Sequence, residues 1–285
     1  MERNKLDVLI CGSSRPQLLI YLLESLERFV ISQSKNTDFR LLMHEDVLDK
    51  SKSEKSIELA KEWGAEVVAH SPPIGYGPAL KQMLHNHVKT YYMLNLQDDW
   101  EFERTGIDID RILWVMDKHK KINSVVFNKW NNAKQFGALE EYVFNGLRLT
   151  VAHQWHVLPG IWRVPIAKKY WDAAPSFPAG TFMRNLGGRA IEPKDAVKRI
   201  GSYWYGGMGE QRWVRHNGST WKTTKWGKGK DRLEFDLNMI KYKPKWIPFE
   251  ARPTNKEIKL LEENRERFLE LLERMPEDVR KEYDR

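Results

Sequence analysis

The residues that most suggest chemistry are two adjacent carboxylates, Asp98 and Asp99, which follow the apolar stretch Thr90–Leu96 and Gln97. Neighbouring side chains on a strand point to opposite faces, so the pair cannot act as one claw while the chain stays extended. At a strand end the chain can bend. One carboxylate could then reach a divalent cation while the other meets a ribose or a bound water. Magnesium and manganese prefer oxygen ligands, often one or two carboxylates together with substrate phosphates. A cation bridging a pyrophosphate would stabilise a departing diphosphate as a Lewis acid. The competing reading of a bare Asp-Asp pair is a solvated acidic turn. The elements that position it have to decide.

Asp7–Cys11 is a short apolar run that stops at Gly12-Ser13-Ser14-Arg15-Pro16, the pattern of a buried strand followed by a loop. Leu18, Leu22, Leu26 and Val30 then recur at helical spacing, with Pro16 near the helix start. Strands are expected at Phe39–His44, Ala65–Ala69 and Thr90–Leu96, with helices over Ser53–Trp63 and Ala79–His87 and a glycine-bearing turn at Gly75–Pro78. This alternation implies parallel strands joined by crossover helices. Ligands of such sheets sit at the carboxyl ends of the strands, where Ser13, Arg15, Asp46 and Asp99 could converge.

Further along, Ile107–His119 reads as a helix, Ser124–Phe127 as a strand and Tyr142–His156 as strands or a hairpin. Leu158–Val164 reads as a strand followed by a helix through Tyr170. Ala173–Lys230 is rich in Gly, Trp, Arg and Lys and is expected to be mostly long functional loops, with one helix over Pro193–Ile200. Thr254–Arg285 carries Ile258, Leu261, Phe268, Leu272 and Met275 on one helical face. The expected organisation is one domain over 1–250, with a nucleotide-binding half (1–105) and an acceptor half (106–250), followed by a helical appendage (251–285).

Val8–Pro16 with its Leu-rich helix resembles the start of GT-A-type glycosyltransferases, particularly the family 2-like group. His44-Glu45-Asp46 is similar to their acidic position near the base or ribose. Gly75-Tyr76-Gly77-Pro78 resembles their glycine-bearing turn, and Gln97-Asp98-Asp99-Trp100 their metal motif in the form Glu-Asp-Asp-Trp. The resemblance implies an α/β fold of the GT-A (Rossmann-like) type: an open mixed sheet flanked by helices, here with a C-terminal helical extension. It makes Asp99 the metal ligand and Asp98 a nucleotide or water contact, with manganese or magnesium as the cation. Gln97 departs from the motif's usual acid. Ser13, Arg15, Asp46 and Lys81 are the implied donor contacts. Arg163, in Pro159-Gly160-Ile161-Trp162-Arg163, belongs to the implied sugar-pocket floor. Arg215-His216-Asn217-Gly218 resembles the His-x-Gly element that supplies a second metal ligand, His216. Arg212 and Arg215 could meet the diphosphate or simply be solvated.

An inverting transfer needs a carboxylate to take the acceptor's proton. Gly209-Glu210-Gln211 resembles the family's Glu-Asp position, with Gln in second place. Glu210 and Glu192, the latter just before Pro193, are the two candidates, and Asp172 is a weaker third. The stretch Thr220–Lys230 interleaves tryptophans with lysines and could close over a pyrophosphate or track a nucleic-acid backbone.

Bulk properties set outer limits. A net charge of +8 favours an anionic partner such as nucleotide phosphates, nucleic acid or an anionic membrane surface. Cys11 is the only cysteine, so neither an intrachain disulfide nor a multi-cysteine zinc site can form. No apolar run is long enough to span a bilayer. The amino-terminal residues lack a signal-peptide layout, so a cytoplasmic location is expected, with a peripheral place on a membrane surface left open. The expected donor is a nucleoside-diphosphate sugar, UDP-sugar by resemblance, and the acceptor a glycan or lipid-linked saccharide, or alternatively a modified DNA base. A nucleotidyltransferase is the second reading, although the loop after the first strand has one glycine and no lysine. A non-catalytic nucleic-acid-binding protein is the third, and it leaves the Asp98-Asp99 strand end unexplained.

Overall fold

The computed structural model describes residues 3–127, 138–152, 155–173 and 200–217. β1 (Asn4–Gly12) is buried on both faces from Leu6 onward, with Asp7 held by Arg40 and the apolar run Val8–Cys11 following, as suits a central strand. Parallel strands flank it: β2 (Thr37–Asp46) on one side and β4 (Tyr92–Gln97) on the other, with β3 (Glu66–His70) beyond β2. The crossovers are α1 (Pro16–Leu26), which runs on into a π-helical turn at Glu27–Ile31, α2 (Lys50–Glu62) and α3 (Tyr76–Asn86).

After β4 the chain forms a short strand, β5 (Trp100–Phe102), then α4 (Ile109–Lys118) and β6 (Ser124–Phe127). β7 (Ala138–Phe144) and β8 (Leu147–Ala152) form a hairpin. β9 (Gly160–Arg163) leads into α5 (Val164–Ala173), and β10 (Ser202–Tyr205) and β11 (Val214–His216) follow. The described strands make a nine-stranded sheet in the order β3-β2-β1-β4-β9-β6-β10-β8-β7, and β5 pairs with β11 in a separate ribbon. β9 runs antiparallel between β4 and β6, so the sheet is mixed. The protein is therefore α/β, with an open mixed sheet flanked by helices.

α1 is buried along nearly its whole surface, with β5 and α2 among the elements packed against it. Phe102 N donates to Ser25 Oγ across that contact at 3.0 Å. α4 starts at an Asp108 cap, whose side chain accepts from Arg111 N at 2.9 Å.

Three local expectations are corrected. Gly75–Pro78 is not wholly a turn: α3 begins at Tyr76, and Gly75, at φ 81°, is its cap. Pro78 is tolerated because first-turn amides have no intrahelical acceptor. Within the stretch read as loops, residues 200–217 contain β10 and β11. β5 also had no counterpart in the sequence reading; it is three residues long and is held by its partner and by α1, not by a local pattern. The appendage 251–285, the expected helix before Ile200, Glu192 and the Thr220–Lys230 stretch lie outside the described residues. Among the described residues, no helix is long and apolar enough to cross a membrane.

Candidate active site at the carboxyl ends of β1, β2 and β4

Register brings three strand ends into a row. Gly12 pairs with Glu45 and Cys11 with Gln97. Asp98 N donates to Cys11 O at 3.1 Å, so β4 stays pinned to β1 up to the point where the chain bends. Both aspartates are nearly fully buried just past that bend. A solvated acidic turn is thereby ruled out.

Arg15 joins the pair. It caps α1, and its carbonyl accepts from Leu18 N and Leu19 N at 3.0 and 3.1 Å. Its guanidinium grips Asp98 through Nε (3.0 Å to Oδ2) and through Nη2, which donates to Oδ1. Nη1 donates to Asp99 Oδ2 at 2.9 Å. A planar fork with several donors suits two neighbouring carboxylates as a single ammonium would not. Ser13 contributes its backbone N, 3.1 Å from Asp98 Oδ2. His216 Nε2 lies 3.2 Å from Asp99 Oδ2, and its ring packs against Trp100 with centroids 4.5 Å apart. The neighbouring Asn217 N donates to Asp99 O at 2.8 Å. Burial pushes Asp98 up, to about 6, against the pull of Arg15. Burial acts on Asp99 too, but Arg15 and His216 outweigh it and hold its carboxyl below the usual carboxylate range. The two adjacent acids thus lose their protons in different pH ranges, Asp99 well before Asp98.

Sequence reasoning missed the brace behind this cluster. Ser14 has a left-handed backbone, φ 56°, which a non-glycine residue adopts only when its surroundings enforce it. Its N–H donates to Glu45 Oε1 at 2.7 Å. Its Oγ accepts from Leu48 N and Asp49 N, both at 2.9 Å, and lies 2.7 Å from Ser53 Oγ, which itself donates to Glu45 Oε1 at 2.7 Å. Burial pushes the Glu45 carboxyl up to about 8. A Cβ at Gly12 would run into Glu45 Oε2 and Met43 Cε, so a larger residue there would push directly on the brace. The only local hint of the brace was the acid Glu45 beside Asp46, just past His44 after the apolar Leu41–Met43 run.

The other expected residues fall in different places. Asp46 is at the site's edge, but both its oxygens accept backbone amides, from Ile74 N (2.9 Å) and Gly75 N (2.8 Å), so it braces the loop into α3. Lys81, on α3, faces α5 and pairs with Asp172 at 3.2 Å, while Asp172 also meets His85 Nε2 at 3.0 Å. Arg163 departs from the expected sugar-pocket floor. β9 is antiparallel to β4 and pairs Arg163 with Tyr92, at the end of β4 opposite the aspartates. Its Nη2 donates to Met116 O (2.7 Å) and Ile122 O (3.0 Å), and Nη1 to Tyr92 Oη (3.0 Å) and Tyr91 Oη (3.2 Å).

Arg212 and Arg215 are neither solvated nor free for a diphosphate. Register places Arg215 opposite Glu101, which is fully buried, and the two are hydrogen-bonded. Arg212 Nη2 donates to buried Glu103 Oε1 at 2.7 Å. Alternating acids along Trp100–Glu103 were the one sequence signal of this network. Glu210 lies beyond it. It borders a cavity of about 320 Å³ with Arg148, Tyr205 and Trp213, and its Oε1 accepts from Arg148 Nη1 at 3.4 Å. Its Oε2 lies 3.9 Å from Arg104 Nη2, so the ion-pair partners of Glu210 are these two arginines and not the site's own residues.

The pair suits a divalent cation in one specific respect. Asp99 Oδ1 is buried and has no hydrogen-bond partner among the described residues, whereas Oδ2 is shared by Arg15 and His216. An orphaned carboxylate oxygen is costly unless a ligand engages it. No group of three or more His, Cys, Asp or Glu side chains among the described residues is arranged to hold a metal ion. A cation at this place would have at most one or two protein ligands, with Asp99 and His216 as the candidates, and would need phosphate and water for the rest of its shell.

No family model matches the chain, and no curated protein matches it. Solved structures with a similar arrangement include residues 1–349 of TarS from S. aureus, 10% identical with a TM-score of 0.47 over 96% of this chain and 82% of that one. This chain covers 50% of the longer TarS structure. A mannosyltransferase from Pyrobaculum calidifontis, in complex with GDP-Man and Mn2+, is 12% identical with a TM-score of 0.40, over 95% of this chain and 74% of that one. CMP:2-keto-3-deoxy-manno-octonic acid synthetase complexed with CTP is 11% identical with a TM-score of 0.45, over 82% and 99%. At these values the likeness is one of general α/β arrangement, and the roles of the residues rest on their geometry.

Proposed function

We propose that the chain is a metal-dependent glycosyltransferase that moves a sugar from a nucleoside-diphosphate sugar, with UDP-sugar the first donor to test. The observation that carries this reading is the buried, unpartnered Oδ1 of Asp99 beside His216 and Arg15, at the carboxyl end of a central parallel strand. In this reading Asp99 and His216 hold manganese or magnesium, which supplies Lewis-acid stabilisation of the leaving diphosphate. Asp98 and Ser13 border the nucleotide, and Arg15 donates to its phosphates. The acceptor oxygen attacks the anomeric carbon. The bond from that carbon to the diphosphate breaks, and the electron pair leaves on the phosphate oxygen. Glu192 takes the acceptor's proton, Glu210 being held beyond the Arg212–Glu103 pair.

A glycan or lipid-linked saccharide is the acceptor class to try first. A modified DNA base is the second, on the strength of the +8 net charge. A thermal-shift screen against nucleoside-diphosphate sugars, with and without manganese, tests the class. Stabilisation by a donor only when manganese is present is expected. Equal stabilisation without metal, or by nucleoside triphosphates alone, would count against it.

A further inference from the structure

Arg15 and a metal ion would compete for the charge of the same two carboxylates. Its guanidinium spans both aspartates, taking Asp98 through two donors and Asp99 Oδ2 through a third at 2.9 Å. Among the described residues, Asp99 Oδ1 is the one oxygen of the pair without a partner. A divalent cation bound there would sit beside the guanidinium of Arg15, which is always charged and lies 2.9 Å from the same carboxylate. Like charges so close in a low-dielectric site repel strongly. Arg15 also caps α1 at the positive end of the helix dipole, where a cation is disfavoured, so the carboxylates alone hold it in place. The first turn of α1 has no acidic side chain to receive the guanidinium if it leaves.

We propose that Arg15 is an internal counter-cation of the Asp98-Asp99 pair, which a divalent metal must displace and which transfers to the nucleoside diphosphate as the two bind together. The proposal rests on the metal-dependent reading above. Its consequence is coupling: metal alone binds poorly because Arg15 has nowhere to go, and a diphosphate supplies the missing anion. Each ligand then raises the other's affinity by the same factor.

The test is a titration with Mn2+, followed by the EPR signal of the free ion, on wild type, Arg15→Gln and Arg15→Lys, with and without UDP. Wild type is expected to bind Mn2+ at least about tenfold more tightly with UDP than without. Arg15→Gln is expected to bind Mn2+ alone at least about tenfold more tightly than wild type, with most of the UDP enhancement gone. Arg15→Lys keeps the charge but cannot bridge both carboxylates, so it should fall between the two and serves if the glutamine variant does not fold. Mn2+ affinity without UDP that is unchanged in both variants overturns the proposal and leaves the metal reading standing. No Mn2+ binding by any variant, with or without UDP, overturns the metal reading and the proposal with it.

Discussion

Ser14 and Glu45 form one unit: the Ser14 N–H donates to Glu45 Oε1 at 2.7 Å while the Ser14 backbone is held at φ 56°. Holding a non-glycine residue in that region costs on the order of 1 kcal/mol. The hydrogen bonds around Ser14 offset it, and the loop they fix delivers both Ser13 N and the Arg15 side chain to Asp98. Glu45 is thus a positioning residue for the site although it touches neither aspartate.

This unit predicts a pH effect on stability. The folded pKa of Glu45 is raised from 4.5 to about 8. Between those values the folded chain keeps a proton that the unfolded chain has released, so stability falls as pH rises, by at most about 1.4 kcal/mol per pH unit for this one proton. The contribution is fully present below 4.5 and gone above about 8. Glu45→Gln keeps a neutral carbonyl in place and should flatten that slope. Chemical denaturation of both proteins from pH 5 to 9 measures it, and parallel curves would sink the assignment.

Asp99→Asn removes the ligand charge but nearly keeps the shape. Metal-dependent turnover of the donor should drop by at least about 100-fold, with an unchanged circular dichroism spectrum. A wild-type rate would take Asp99 out of the metal's coordination.

Glu101 and Arg215 are a buried pair whose members stand on different strands of the ribbon. Removing one partner leaves the other charge buried and alone, which costs about 3–5 kcal/mol. Arg215→Met should therefore lower the urea midpoint while the KM for donor in the folded protein is kept. A raised KM at unchanged stability would return Arg215 to the diphosphate.

Glu210 provides a sharper contrast. Loss of a true general base typically costs about 10²–10⁴ in rate. With Glu210 placed beside Arg148 and the cavity, Glu210→Gln should stay within about twofold of wild type, as for a substitution away from the chemistry. Glu192→Gln should show the large loss instead. Steady-state turnover of the two variants side by side decides between them.

Much of the first half was legible because its information is local. The expected strands Asp7–Cys11, Phe39–His44, Ala65–Ala69 and Thr90–Leu96 end within one or two residues of the observed ends, and the helical spacing between them leaves parallel strands as the solution. That alone put Ser13, Arg15, Asp46 and the Asp98-Asp99 pair on one edge of the sheet. Ser124–Phe127 matched to the residue. What the residues did not reveal is how side chains on that edge share one another. Arg15 meets Asp98 across 83 positions in the chain, and His216 meets Asp99 across 117. No periodicity encodes such a distance.

Strand direction was equally hidden. Gly160–Arg163 reads as a strand whichever way it runs, yet lying antiparallel to β4 it carries Arg163 to the opposite edge. The ribbon of β5 and β11 exists only as a pairing, and around it Arg212 and Arg215, for which a diphosphate contact and plain solvation both stood open, are partners of Glu103 and Glu101. By itself the sequence determined which loops share an edge, because alternation and strand ends are properties of neighbouring residues. Only the tertiary structure decided which charges on that edge are already paired, because pairing depends on the direction and register of strands that are distant in the chain.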